Sequence, residues 1–256
     1  MNDKLNIYVL QHKPYFNRHE NLENRVPLQV GSWDKEQFCV MRDCDGDNIS
    51  NKNKVYLETT GHYWALKNDN LSSYVGFEHC CRQFLEFDSE EKIMAVLQDY
   101  DIILPQSIIP KTTIEIDYAN CHIHNDILVC KDILYDMDAE VGRLFDIYIS
   151  APQMPLYWSN IFITRWEIFE NAWNFVFSVL SEYEKRMGFK RIPDWRYYVE
   201  STGVNHEFFK ERHPDLSWVD YQMRIGGSLS ERLFSFYVTH NGLKIYESVV
   251  SAEWYE

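Results

Sequence analysis

The sequence predicts an α/β fold, and three observations carry that prediction. Short apolar runs of strand length, at Leu5–Leu10, Tyr74–Phe77 and Asp101–Pro105, alternate with stretches of helical period. The clearest helix, Glu167–Met187, puts Phe169, Trp173, Val176, Phe177, Leu180 and Tyr183 on one apolar stripe. Polar side chains gather at the ends of these apolar elements, where open α/β sheets build ligand sites. The chain has 256 residues, 45% of them hydrophobic, enough to bury a substantial core. No repeat or linker divides it, so the expectation is one domain over residues 1–256 with a C-terminal helical embellishment.

The elements follow in order. Leu5–Leu10 reads as a buried first strand ending in Gln11-His12-Lys13-Pro14, and Val26–Val30, before Gly31, as a second. Asp43-Cys44-Asp45-Gly46-Asp47 invites a calcium loop. An EF-hand, however, needs Gly at its sixth position and Glu at its twelfth, and here Gly46 is fourth and Lys54 twelfth. A turn is the better reading. From Asn53 to Lys67, Val55, Tyr56, Thr59, Tyr63 and Leu66 recur at helical spacing, and Asn68-Asp69-Asn70 stops them. Tyr74–Phe77 then delivers Glu78-His79-Cys80-Cys81-Arg82. Ser89 caps a helix reaching Tyr100, with acidic residues in its first turn. The next strand ends at Pro105.

His122-x-His124-x-Asp126 would share one face of a strand and could bind a metal there; on a helix the three diverge. Asp132–Phe145 reads as helix and Leu156–Thr164 as a buried strand interrupted by Ser159-Asn160. Gly188 stops the long helix after Lys185 and Arg186. Arg191–Asp220, with Trp195, Tyr197, Tyr198, His206, His213 and Trp218, reads as an irregular polar lid or acceptor-side loop. Arg224-Ile225-Gly226-Gly227 opens a helix over Ser228–Tyr237, and Leu243–Val250 is a closing strand.

Charge and composition narrow the function. The net charge of −14 argues against nonspecific nucleic-acid binding and against electrostatic attachment to anionic lipid. Aromatic residues make up 16%, and such rings suit sugar or base stacking as well as cores. The six cysteines (Cys39, Cys44, Cys80, Cys81, Cys121, Cys130) form no CxxC pair, so reduced packing residues in a cytoplasmic protein are expected. The start of the chain lacks a signal-peptide pattern and no apolar run approaches the roughly 18 residues of a membrane span. Peripheral contact at the inner face of the plasma membrane stays open.

An ordered series of short motifs resembles a bacterial family of capsular and O-antigen polysaccharide glycosyltransferases. The matching residues are His12-Lys13-Pro14, Gly46-Asp47-Asn48-Ile49-Ser50, Lys52-Asn53, Glu58, Tyr63-Trp64 and Lys67-Asn68. Val75-Gly76-Phe77-Glu78-His79-Cys80-Cys81-Arg82-Gln83-Phe84 resembles the hallmark Gly-Leu-x-His-Tyr-Arg-Arg-Tyr-Phe, with Cys80, Cys81 and Gln83 replacing Tyr, the first Arg and Tyr. Tyr100–Pro105, the Tyr118/His122/Asp126 spacing, Asn160–Ile163 and Ser228–Leu233 complete the series.

The resemblance implies a single Rossmann-like, GT-A-type glycosyltransferase domain with a mixed central sheet. About residues 1–110 would form the donor-nucleotide half and about 111–256 the acceptor half. It implies transfer of a hexose (galactofuranose, galactose or glucose) from a UDP-sugar to a glycan or lipid-linked acceptor in surface polysaccharide synthesis. A catalytically weak nucleotide-sugar- or glycan-binding protein is the alternative. Donor-binding candidates are His12, Lys13, Asp47, Asn48, Asn53, Lys67, Asn68, His79 and Arg82; Asn160 and His122 are candidates for the acceptor or sugar. The leaving diphosphate needs either Mg²⁺ or Mn²⁺, for which Asp101 and Asp47 are the candidate ligands, or fixed cations. The expected Asp-x-Asp metal motif is replaced by Glu78-His79-Cys80, which favours cations. A carboxylate must take the acceptor proton, and Glu231 and Asp126 are the candidates.

Overall fold

Strand β1 (Leu5–Gln11) is apolar on both sides and lies inside the sheet: Leu5 and Ile7 face one hydrophobic layer, Tyr8 and Leu10 the other. The structure is a computed structural model and describes residues 4–14, 22, 24–69, 71–202, 214 and 217–251. His206 and His213 of the expected lid lie outside the described residues. The remaining strands are β2 (Arg25–Gln29), β3 (Met41–Arg42), β4 (Tyr74–His79), β5 (Ile102–Pro105), β6 (Phe162–Arg165) and β7 (Ile245–Ser248). The sheet order is β3-β2-β1-β4-β6-β5-β7. Only β6 runs against its neighbours; the other pairs are parallel, so the sheet is mixed. From β1 the chain builds outward to β2 and β3, then returns to β1's other side as β4. That reversal opens a crevice at the carboxyl ends of β1 and β4.

The helices are α1 (Asn53–Tyr56), α2 (Thr59–Asn68), α3 (Glu90–Val96), α4 (Ile114–Cys121), α5 (His124–Met137), α6 (Ala139–Ser150), α7 (Trp166–Met187), α8 (Ile192–Ser201), α9 (Trp218–Gln222) and α10 (Ile225–His240). The larger core joins one sheet face to α2, α5, α7 and α10. The smaller core covers the other face with Phe84, Phe87, Ile93 and Leu97. Helix α7 buries the apolar stripe expected of it and ends where Gly188 turns left-handed at φ 72°.

Four elements differ from the sequence expectation, each for a local reason. The Asn53–Lys67 helix breaks at Leu57, whose φ of 51° and ψ of −132° no helix accommodates. Asp132–Phe145 is two helices meeting at Asp138, whose carboxylate accepts from Glu140 N and Val141 N and starts α6. The strand expected from Leu156 begins only at Phe162, because Ser159 and Asn160 take positive φ. The supposed irregular lid contains α8 and α9; α8 buries Trp195 and Val199, and Asp194 accepts from Lys190 N and Arg191 N at its start.

The acidic turn after β3 turns inward. Asp43 is fully buried and its carboxylate accepts from Gly31 N (2.8 Å), Ser32 N (3.1 Å), Ser32 Oγ (2.8 Å), Ser50 Oγ (2.6 Å) and Thr60 Oγ1 (2.6 Å). It fastens the end of β2 to the Ser50–Lys52 turn and to α2. Gly31 completes the joint: it is left-handed (φ 61°), and a Cβ there would fall 2.3 Å from Asn53 Oδ1. Asp43→Ala strands several of these donors, each costing about 1–3 kcal/mol. We expect a loss of at least about 3 kcal/mol in urea unfolding; a loss under about 1 kcal/mol would show that Asp43 does not hold this region together.

Candidate active site

The crevice holds a cleft of about 460 Å³ whose walls come from five places in the chain. The end of β1 gives Leu10 and His12, and the segment after β2 gives Val30 and Lys35. The α1–α2 corner gives Asn53, Leu57 and Glu58, and the turn after β4 gives His79, Cys80, Cys81 and Arg82. Arg224, before α10, closes it. Lys13 is exposed beside His12. One mouth therefore collects Lys13, Lys35, Arg82 and Arg224, a cationic lining in a chain of net charge −14.

Behind the cleft lies a polar cluster built on one backbone corner. Ser159 and Asn160 are left-handed at φ 72° and 51°. Such consecutive positive-φ residues cost about 1–3 kcal/mol each and persist only where the surroundings fix them. Here Asn160 Nδ2 donates to Glu58 Oε1 (2.8 Å) and Ser230 Oγ (3.0 Å). Ser159 N donates to Glu231 Oε1 (2.7 Å), and Arg82 Nη1 donates to Ser159 Oγ (2.8 Å). His62 is fully buried, stacked between Phe77 and Trp173 at 4.0 and 4.1 Å, with Nε2 2.9 Å from Asn160 O and Nδ1 3.2 Å from Glu58 O. Burial pushes its value down to about 3, so the ring is neutral, carries one N–H and donates to one of these two carbonyls, Asn160 O being the nearer.

Two carboxyls meet in this cluster. Burial and the neighbouring Glu231 push Glu58 up to about 7, against the pull of the Asn160 hydrogen bond and Arg82. Burial also raises Glu231, but Arg232 Nη1 at 2.8 Å and the Ser159 N–H hold its charged form. His79 is driven down to about 3, first by burial and then by Arg82, and its Nε2 is buried with no hydrogen-bond partner. Asn160 Oδ1 is likewise buried and unpaired. Such atoms next to a cleft mark a place for a bound group or water.

Of the residues chosen from sequence, the structure brings His12, Lys13, Asn53, His79, Arg82, Asn160 and Glu231 to the cleft or its backing cluster. It places the others elsewhere. Asp47, Asn48, Lys67 and Asn68 lie toward the far end of α2, where Asn68 exchanges hydrogen bonds with Asp47 N and O and Asn48 clamps Cys44 O and Gly46 O. Asp101 precedes β5, at the amino-end edge of the sheet, tied to Arg165 and Lys244 N. Glu78 is spent on Arg25 (3.2 Å), with both side chains fully buried, and on Phe84 N. His122 stacks between Tyr118 and Tyr221, and His124 is exposed against Glu115, so the two histidines and Asp126 diverge as helical residues do. Asp126 is buried between α5, α7 and α8, where its Oδ1 accepts from Tyr183 (2.8 Å) and Tyr198 (2.7 Å). Neither Asp47 nor Asp101, the candidate ligands for Mg²⁺ or Mn²⁺, lines the cleft, and among the described residues no three His, Cys, Asp or Glu side chains converge to hold a metal. Sequence reasoning passed over Glu58, His62, Lys35, Ser159 and Arg224 as functional residues; Glu58 alone had a signal, its place in the motif series.

A family model described as a domain of unknown function, DUF4422, matches residues 6–198. The chain belongs to that family. No curated protein matches it. Among solved structures it is similar to the apo form of the WbbM bifunctional glycosyltransferase, with a TM-score of 0.76 and 24% identity over 99% of this chain and 46% of that one. The chain thus spans about half the length of that protein, and at this identity the likeness establishes the fold. The DUF4422 fold therefore carries its polar cluster at the switch point of a mixed sheet already seen in a glycosyltransferase.

Two side chains of this DUF4422 chain give sharp tests of the electrostatics. Cys80 donates to the Cys81 sulfur, which, with Arg82 and Lys13 nearby, lowers the Cys81 thiol; the same bond raises Cys80. We expect iodoacetamide at neutral pH to label Cys81 well before Cys80, read by peptide mass spectrometry; equal rates would contradict the thiol pairing. Asp126 is raised by burial to about 7, above the ~3.9 of an unfolded aspartate. The folded state thus keeps a proton that the unfolded chain releases, so Asp126's contribution is full below about pH 4 and is lost as pH rises to about 7. Asp126→Asn should remove about one proton's worth of that downward slope in stability between these limits; an unchanged slope in pH-dependent unfolding would reject it.

Proposed function

We propose that this protein is a glycosyltransferase that moves a hexose from a UDP-sugar to the hydroxyl of a glycan or lipid-linked acceptor, in the synthesis of a surface polysaccharide. The observation that carries the reading is the meeting of Glu58 with Glu231, Arg82 and the cationic mouth at the carboxyl ends of β1 and β4. The family resemblance and the fold shared with WbbM support it.

In this reading the diphosphate lies in the mouth, where Lys13, Lys35, Arg82 and Arg224 offset the charge that grows as the sugar–phosphate bond breaks. Neutral His79 presents its unpaired Nε2 to the donor. Glu58 takes the acceptor proton as its oxygen attacks the anomeric carbon. A base near pKa 7 suits this role, being about half ionised at neutral pH yet basic enough to accept a proton. Glu231, held ionised by Arg232, keeps the Glu58 value high and fixes Ser159 in place. Arg82 contacts this corner directly, so it serves both donor and base. Asp126 has no part in transfer, standing behind α5. Cys81 occupies the position where the resemblance expects an arginine, which shifts charge stabilisation onto Lys35 and Arg82. A raised carboxyl beside an open cleft favours turnover over simple sugar binding.

A panel of UDP-hexoses, followed by release of UDP, tests the reading. Turnover should rise with pH through about 7 as Glu58 ionises. Glu58→Gln should lower it by about 10²–10⁴-fold and remove that limb, with UDP affinity retained. If Glu58→Gln keeps both rate and limb while Glu231→Gln loses them, the base is Glu231.

A further inference from the structure

A second cavity, larger than the cleft, lies on the other side of the α1–α2 corner and has a different chemical character. Its volume is about 570 Å³, within the usual range for small-molecule sites. It runs between that corner and the paired helices α8 and α9. Asn53, Leu57 and Arg224 line both cavities, so the two spaces meet across one saddle, and Glu58 follows Leu57 in the chain.

The saddle is held against its own preference. Leu57 occupies a backbone region that favours glycine. Asn53 Nδ2 donates to Leu57 O (2.6 Å), and Leu57 N donates to Asn53 O (2.8 Å). Gly227 of α10 admits the side chain: a Cβ there would fall 2.9 Å from Leu57 Cδ1. A ridge fixed this firmly, with a raised carboxyl at its foot, separates two ligand spaces rather than closing one.

The charges of the two cavities differ. The cleft is cationic. In the larger cavity Lys54, Arg196 and Arg224 stand against Glu200 and Asp220, and Arg196 of α8 lies 3.0 Å from Glu200 and 3.6 Å from Asp220, so all but one of the positive charges are balanced within the wall. Such a wall mixes fixed donors and acceptors, with two carboxylates that repel an anion, which suits a neutral polyhydroxylated ligand better than a phosphate. Apolar surface comes from Ile192, Pro193 and Met223, and the Tyr197 ring stands 76% exposed at the rim. A flat ring over a partly apolar floor matches the alternating C–H and O–H faces of a pyranose.

We propose that this second cavity is the acceptor subsite and takes the end of an uncharged oligosaccharide, whose terminal hydroxyl crosses the Leu57–Arg224 saddle to Glu58. The inference rests on the transferase reading for the hydroxyl's fate but not for the sugar's binding. Helices α8 and α9 thereby become acceptor-selecting elements, and Tyr197 a stacking residue that does no chemistry.

The test measures binding, not transfer. Octyl glycosides of glucose, galactose, mannose, rhamnose and N-acetylglucosamine are the probes, each titrated against the full chain with and without UDP by saturation-transfer NMR. At least one glycoside should bind. Tyr197→Ala and Glu200→Ala should each weaken it about tenfold or more, as expected when a stacking or hydrogen-bonding contact is lost. Tyr197→Phe should restore the affinity, because the ring is kept. Both replaced side chains are largely exposed, and circular dichroism checks the fold. Binding of no glycoside, binding indifferent to Tyr197→Ala, or displacement of the glycoside by UDP each overturns the subsite. Glycoside binding that depends on Tyr197 in a protein that neither binds UDP nor turns over UDP-hexoses supports the subsite and rejects the transferase reading, so the two fail separately.

Discussion

The buried carboxylate of Asp43 is the constraint on which the rest of the cleft depends. An α/β sheet offers strand ends but does not itself fix the loops beyond them. Here five donors from the end of β2, the Ser50 turn and α2 converge on one side chain. Because an unsatisfied buried carboxylate is costly, the three segments are locked together or not assembled at all. Asn53 and Gly31 then meet too closely for any side chain at residue 31. From that joint the chain reaches Leu57 and Glu58 with little freedom left. The acidic turn that suggests calcium in the sequence does its work by accepting hydrogen bonds from the protein.

Backbone strain is concentrated where this framework can hold it. Leu57 flanks the cleft and Ser159 and Asn160 lie behind it, all left-handed without being glycine. Each is tied from two directions: Leu57 by Asn53 and the approach of Gly227, Ser159 by Glu231 and Arg82, Asn160 by His62 and Glu58. The ties cross between α2, the β4 turn, the corner before β6 and α10. Moving any one of them moves the others, so these hydrogen bonds fix the spacing of the two carboxyls. His62 suits this task because a neutral ring can stack on Phe77 and Trp173 at once and still donate its one N–H to a backbone carbonyl of the corner.

Periodicity made much of the fold legible: β1, β4, β5 and α7 stand where alternation and the helical stripe put them. The features it missed are those that local pattern does not encode. The break at Leu57 comes from a tertiary pocket on α10, and the left-handed Ser159-Asn160 corner comes from partners 70 to 102 residues away along the chain. The same division holds for the site. His12, His79 and Arg82 follow apolar strands directly, so sequence order alone points to the sheet's carboxyl edge. Asp47, Asn48, Lys67 and Asn68 are just as polar and sit within the same motif series, yet α2 carries Lys67 and Asn68 toward its opposite end, where Asn68 holds the Asp47 loop. A helix of ten residues spans about 15 Å, enough to separate its two ends into different surfaces. Asp126 is singled out by its spacing with Tyr118 and His122, which does not reveal that its tyrosine partners hold it inside the helical layer, away from the cleft.

The pairing of Glu58 with Glu231 follows from the same economy of charge. Two buried carboxyls near each other do not both ionise freely, and the proton goes to the one with weaker support. Glu231 has the Arg232 guanidinium at 2.8 Å and a backbone N–H at 2.7 Å; Glu58 has an amide N–H from Asn160 at 2.8 Å. The unequal support assigns the proton to Glu58, the carboxyl that borders the cleft. Arg82 works in the other direction, favouring the ionised form of both. A ligand diphosphate drawing on Arg82's charge would weaken that support and raise the Glu58 value further. In the proposed transfer, donor occupancy and the proton affinity of Glu58 are thus coupled through one guanidinium: a bound diphosphate makes Glu58 more basic and lowers the fraction of it that is ionised at neutral pH.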